Sequence, residues 1–318
     1  MASAANAEVL FFDDFNTSSP DVDRNFWTTP EGNAAYFGRT AIRNPNIPEN
    51  VMDSGWLRAD NAVKVETSAF DNSIGVAKLR FDTYNPINGN DHTSFWGSEI
   101  DTGNGNNVND FTTYSIQGRP VGEGISFEAS IRPSPYLLNN PESALPGGIV
   151  TSVFAYGLKD ELTGKRDEID FEFLTKQDSN KVYLNYYTDE PTEGPGNPVE
   201  KILADFDTKE FNTVKINWFT DKIEWYVNDT IIHTVIASDE VSIPQGPMGL
   251  RINVWAPDET WGAAYDGAFL PVDNLGANDA FIYEVDWAKV SVTPEPVSCI
   301  LFLIGGGTLA FFRKKVKI

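Results

Sequence analysis

Between residues 8 and 292 the hydrophobic and polar positions alternate with a period of two almost throughout, the signature of half-buried strands. Val214, Ile216 and Trp218 alternate with Lys215 and Asn217. After a short turn at Thr220-Asp221, Ile223, Trp225 and Val227 alternate with Glu224 and Asn228, which predicts a β-hairpin. The same pattern predicts strands at 62–66, 76–83, 123–132, 149–157, 167–175, 180–187, 230–236, 248–255 and 281–292. No segment of a dozen residues carries a helical stripe. Many strands separated by turns predict an all-β sandwich or jelly roll. The Asn/Gly-rich stretch from Asn85 to Asn109 reads as a long loop insertion, and no internal repeat or second core is visible.

Charge narrows the partners. The 318 residues hold 24 Lys+Arg against 46 Asp+Glu, a formal net charge of −22. That surplus excludes nucleic acid, whose phosphates require a basic footprint, and disfavours anionic lipid. A neutral partner fits, and 8 Trp, 11 Tyr and 21 Phe offer flat faces for one. Cys299, the only cysteine, lies near the C-terminus, so the remainder holds no disulfide, thiolate nucleophile or Cys-based zinc site. With only His92 and His233, a three-histidine metal site is excluded, and a Ser-His-Asp triad would have to use one of the two. Carboxylate chemistry remains, and a monomer with no required cofactor is expected.

Both ends differ from the body. Met1–Ala7 ends in Ala5-Asn6-Ala7, similar to a signal-peptide cleavage site, and reads as the remnant of one. Pro294-Glu295-Pro296 is followed by an uncharged run from Val297 to Phe312 and then by Arg313, Lys314, Lys315 and Lys317. Basic residues behind an apolar run favour membrane insertion with a cytoplasmic tail. This three-part order resembles the PEP-CTERM sorting signal, which implies export, transient membrane anchoring and processing by an exosortase-type enzyme, with a final location at the cell surface or in the extracellular matrix. The expected organisation is a remnant at 1–7, one β-domain at 8–292 and a sorting segment at 293–318.

The most informative stretch is Arg166-Asp167-Glu168-Ile169-Asp170-Phe171-Glu172-Phe173-Leu174. On a strand, Glu168, Asp170 and Glu172 share one face, while Ile169, Phe171 and Phe173 share the other. Three like charges with no Lys or Arg interleaved among them suit a solvated acidic face, a calcium site or glycoside hydrolysis. In the last case one carboxylate attacks the anomeric carbon and a second, kept protonated, donates to the leaving oxygen.

Glu168-Ile169-Asp170-Phe171-Glu172 resembles the catalytic signature of glycoside hydrolase family 16, in its uninterrupted form similar to lichenases and xyloglucan transglycosylases. The resemblance implies a curved, concanavalin A-like jelly roll whose concave face is the substrate cleft. It also implies that Glu168 is the nucleophile, Asp170 the residue that tunes the pair, and Glu172 the general acid/base. It extends through Gly148–Tyr156, Asn185–Thr188, Ile223–Asn228 and Asn253–Trp255, and carries Glu99, Phe154, Tyr156, Asn185, Tyr187, Asn253, Trp255 and Trp261 as substrate-binding candidates. Parity agrees, since Tyr183, Asn185 and Tyr187 oppose the core-facing Val182, Leu184 and Tyr186, and Arg251, Asn253 and Trp255 oppose Ile252 and Val254. Two departures bear on donor-side sugars: Arg166 stands where lichenases usually carry Trp, and Asp101 where the family usually carries Arg. Asp286 matches a position where many members hold a structural Ca²⁺. The expected function is an exported retaining endo-β-glucanase, with a transglycosylase or a non-catalytic carbohydrate-binding matrix protein as alternatives.

Overall fold

The alternation folds into strands packed on one core, seen in a computed structural model that describes residues 7–23, 27–28, 36–42, 63–86, 94–102, 113–120, 122–160, 165–190 and 196–294. The strands are β1 (Val9–Asp13), β2 (Trp27–Thr28), β3 (Tyr36–Phe37), β4 (Thr40–Ile42), β5 (Val63–Thr67), β6 (Gly75–Asp82), β7 (Phe95–Thr102) and β8 (Glu123–Leu137). They continue as β9 (Val150–Asp160), β10 (Lys165–Leu174), β11 (Lys181–Glu190), β12 (Val199–Ile202), β13 (Asn212–Trp218), β14 (Lys222–Val227) and β15 (Thr230–Ile236). The last two are β16 (Gly249–Trp255) and β17 (Ala280–Pro294). One 3-10 turn, Leu275–Ala277, is the helical element among the described residues.

Two antiparallel layers result. The outer sheet runs β15–β14–β13–β8–β17–β6–β5, with β1 on the second half of β17. The inner sheet runs β12–β11–β10–β9–β16–β7–β2. Strand β7 joins the layers, pairing Trp96 with Asp82 of β6 and Phe95 in parallel with Thr40 of β4. Phe127, Ile216 and Trp225 from the outer sheet meet Val153, Ile169, Phe171 and Ile252 from the inner one in a single core. Each such side chain contributes about 1.5–3 kcal/mol by leaving water. Trp225 also donates from Nε1 to the Asp170 carbonyl at 3.1 Å, tying the outer sheet to the strand that carries the acidic row.

Two contacts fix the end of that strand. Asp167 is fully buried, accepts from the amides of Asp189, Gln245 and Gly246 at 2.9, 2.9 and 2.7 Å, and pairs with Lys159 at 3.0 Å. Gly157 lies opposite Asp167, and a Cβ there would come 1.9 Å from the Pro247 carbonyl oxygen, so only glycine lets the 245–247 backbone approach.

The strands expected from periodicity all occur, most with ends shifted by a few residues. The stretch 85–109 does not form one loop, because it contains β7; residues 87–93 and 103–112 lie outside the described residues. All eight β7 side chains are buried, so the strand has no solvent-facing polar set to alternate with. The short strands β1–β4 and the edge strand β12 also escape the pattern. Strand β17 continues two residues beyond 292, pairing Thr293 with Gly124 and Pro294 with Glu123. The segment 295–318 with Cys299, and residues 1–6, lie outside the described residues. No helix among the described residues is long and apolar enough to cross a membrane.

Candidate active site

The core-facing set of β10 is buried as expected, with Ile169 and Phe171 inaccessible and Phe173 nearly so. The other face carries Glu168, Asp170 and Glu172, and register across the inner sheet extends each into a row. Glu172 lies between Tyr183 and Ser152, and Ser152 faces Asn253, which faces Glu99. Asp170 lies between Asn185 and Phe154, then Arg251 and Asp101. Glu168 lies between Tyr187 and Tyr156, then Gly249. Seven of the eight expected binding residues therefore share one sheet face with the three carboxylates, and Trp261 reaches it from the following loop.

The rows are wired by hydrogen bonds. Asn253 Nδ2 donates to Glu99 Oε2 at 2.8 Å, and Ser152 Oγ donates to Asn253 Oδ1 at 2.8 Å. Trp255 Nε1 donates to Ser152 Oγ at 3.2 Å. Asn185 Nδ2 donates to the Tyr187 hydroxyl at 2.9 Å while its Oδ1 accepts from the Asn197 amide at 2.7 Å. Beyond Glu172 the rings of Trp255 and Trp261 stack with centroids 5.8 Å apart, and Tyr183 meets Trp261 edge-on at 6.2 Å. Lys176 Nζ holds that loop through the carbonyls of Gly262 at 3.0 Å and Tyr265 at 2.5 Å. This end of the face presents the aromatic surface expected of a sugar platform. Phe154, only 5% exposed, is floor rather than contact surface.

The carboxyls are not equivalent. Burial pushes Glu172 up to about 8, and the Glu168 charge adds to that rise. Burial raises Asp170 well above its usual range, reinforced by Glu168 and Glu172, so Asp170 carries the proton in its hydrogen bond to Glu168. Burial raises Glu168 too, but Arg166, the hydrogen bond from Asp170 and Arg251 all pull it back. The acidic row is therefore not free of basic residues, as the strand alone implied: Arg166 occupies the same face two positions earlier, and its Nε donates to Glu168 Oε2. Three further participants were not among the binding candidates from sequence, although Asp101 and Arg251 were noted there for their position. Arg251 lies 3.3 Å from Glu99 and 3.1 Å from Asp101, with its guanidinium 4.3 Å from the Tyr156 ring centroid. Asp101 is pushed up to about 8 by burial, against Arg251 and with Glu99. Ser152 completes the set. Arg251 and Asp101 share cleft-facing parity with Asn253 and Glu99, the signal that marks them. His233 sits in the outer sheet against Trp225, away from this face.

Asp286 occupies an irregularity in the β17–β8 pairing, where Ser130 Oγ donates to its Oδ2 at 3.0 Å. Burial raises its pKa and the Asp14 charge adds to the rise, a setting that a cation would relieve. Among the described residues no group of three or more His, Cys, Asp or Glu surrounds it. A Ca²⁺ held there would take Asp286 as a carboxylate ligand and complete its shell from backbone carbonyls.

The two-layer β-sandwich is an architecture shared with solved β-glucanases. The fold matches Bacillus licheniformis β-glucanase with a TM-score of 0.55 at 23% identity, covering 88% of this chain and 96% of that one. It matches an endo-β-1,3-glucanase from Pyrococcus furiosus with a TM-score of 0.57 at 16% identity, covering 91% and 95%. Residues 142–289, which include the acidic row, match the family model of glycosyl hydrolases family 16. A β-glucanase of Brevibacillus brevis is 33% identical over 169 residues, 52% of this chain and 54% of the relative. Xyloglucan endotransglucosylase/hydrolase protein 3 of Arabidopsis thaliana is 34% identical over 117 residues, 36% and 37% of the two chains. The chain thus spans about half the length or less of these curated relatives.

Proposed function

We propose that the chain is a retaining endo-β-glucanase acting on β-1,3-1,4- or β-1,3-glucan. The observation that carries this reading is the row Glu168–Asp170–Glu172 on one buried strand face, with a general acid at one end and an arginine-paired carboxylate at the other. Glu168 attacks the anomeric carbon and forms a glycosyl ester, while Glu172 gives its proton to the departing oxygen. Glu172 then takes a proton from water, which attacks the same carbon and releases Glu168. Asp170 donates to Glu168 and holds its orientation. The acidic cleft, set within a chain of net charge −22, favours an uncharged polysaccharide over an anionic one.

The test is proton NMR of the anomeric region during the first minutes of digestion, on a panel of mixed-linkage glucan, laminarin, xyloglucan and agar. Hydrolysis of a β-glucan with the β-anomer appearing first is expected. An initial α-anomer would mean direct attack by water and would remove the nucleophile role from Glu168.

The likeness to a xyloglucan endotransglucosylase/hydrolase supports a second reading, in which a sugar rather than water takes the glycosyl group. Adding a labelled oligosaccharide acceptor separates the two by product length. Export and membrane anchoring through 294–318, with exosortase-type processing, complete the proposal and rest on that segment's sequence. Since β17 makes its last pairing at Pro294, removal of 297–318 is expected to leave kcat and KM unchanged and to abolish membrane association. Loss of folding on that truncation would assign the segment to the core instead.

A further inference from the structure

Two guanidiniums of the cleft face act on Glu168. Arg166 precedes Glu168 by two residues, donates to Glu168 Oε2, and lies flat over Tyr187 with its guanidinium 3.9 Å from the ring centroid. Arg251, arriving from β16, is held between Glu99 and Asp101 and stacks on Tyr156, and its charge also acts on Glu168. Both guanidiniums rest on aromatic rings that neighbour Glu168 across β11 and β9. What acts on Glu172 is burial and Glu168 itself.

We propose that Arg166, aided by Arg251, is a positioning residue that fixes which carboxyl is the nucleophile: it keeps Glu168 ionised and oriented while Glu172, at the far end of the row, keeps its proton. The proposal deepens the glycosidase reading and rests on it. The need is physical, because a protonated carboxyl cannot attack carbon, and burial pushes both glutamates towards the protonated form. A guanidinium remains charged across the working range, so it acts as a fixed counter-charge where a lysine or histidine would itself titrate. The same charge favours Glu168 as the leaving carboxylate when the glycosyl ester is hydrolysed. Arg166 does not act alone on Glu168. Asp170 and Glu172 face it from its own strand, Tyr187 from β11, Tyr156 from β9, Arg251 from β16 and Glu99 from β7. Of these neighbours only Arg251 adds positive charge.

The experiment compares wild type, Arg166→Lys, Arg166→Gln and Arg251→Gln by the pH dependence of kcat/KM on soluble mixed-linkage β-glucan. In parallel, the Glu168 carboxyl is titrated by ¹³C NMR in glutamate-labelled protein, its signal assigned by its absence in Glu168→Gln. Arg166→Gln is expected to move the acidic limb upward by about one pH unit or more, the usual effect of losing an adjacent opposite charge. On the acid side of the limb its activity should then fall about tenfold and recover as the pH rises, since one unit is a tenfold change in ionised fraction. The ¹³C midpoint of Glu168 should shift by the same amount. Arg251→Gln should move both in the same direction by less, and Arg166→Lys should lie between wild type and Arg166→Gln. An unmoved acidic limb with an unmoved ¹³C midpoint in Arg166→Gln would overturn the proposal, because a packing role lowers activity equally at every pH. Should Arg166→Gln not fold, Arg166→Lys decides by the direction of its ¹³C midpoint, and no upward shift overturns the proposal. Absence of glycan hydrolysis by the wild type would defeat the glycosidase reading, while the carboxyl titration would still decide the charge relation by itself.

Discussion

Replacing Glu168 with alanine is expected to lower kcat on β-glucan by about 10⁴-fold or more, the scale seen when a covalent nucleophile is removed. The protein should remain folded. The Glu168 side chain is 16% exposed on the cleft face, and the core beneath it is made by Ile169, Phe171 and Phe173 from the opposite parity. The change removes its interaction with Arg166 and its hydrogen bond with Asp170 but no core contact. Added azide should restore turnover on a substrate with a good leaving group, because the vacated space admits a small anion. That product should be the α-glycosyl azide, formed by one inversion at the anomeric carbon in place of two. Circular dichroism with the activity assay checks the first claim, and NMR of the azide adduct the second. Wild-type-like activity in Glu168→Ala would remove the nucleophile from this strand.

The second large effect is the alkaline limb of the pH profile. Glu172 has its pKa raised to about 8, so it holds its proton below that pH and loses it above. Activity on natural polysaccharide should therefore fall as the pH passes about 8, and Glu172→Gln should lower kcat by about 10²–10⁴-fold, the range for a general acid. Substrates with an activated aryl leaving group need no proton, so their glycosylation step should be spared in Glu172→Gln. Their pre-steady-state burst should persist while steady-state turnover falls for lack of a base. Equal losses on both substrate types would place the acid elsewhere. The same shift sets the direction of stability. A carboxyl with a raised folded-state pKa binds more protons when folded, so stability falls as pH rises from the ordinary carboxylate range towards about 8. Asp101, also raised to about 8, acts in the same sense.

What was legible in the sequence is what depends on local alternation. The hairpin at 212–227, the burial of Ile169, Phe171 and Phe173, and the shared face of Glu168, Asp170 and Glu172 follow from a side-chain period of two and need no tertiary information. Parity likewise placed Asn185 and Tyr187, and Asn253 and Trp255, on the same side of their strands as the acidic row is on β10. Strand β7 was not legible, because a strand buried on both faces shows no alternation, and its Glu99 was placed by resemblance instead.

Only the tertiary structure decided how these faces meet. Which residue stands opposite which depends on cross-strand register, set by turns and irregularities such as those around Arg166 and Glu168 that no single strand encodes. Arg251 reads as one more outward-facing cation on β16, and becomes a partner of Glu99 and Asp101 only when β16 lies between β9 and β7. The chemical inequality of Glu168 and Glu172 has the same origin. Two glutamates four residues apart on one strand are alike in sequence, and their protons are separated by burial and by charges brought from neighbouring strands, which act through space and not along the chain.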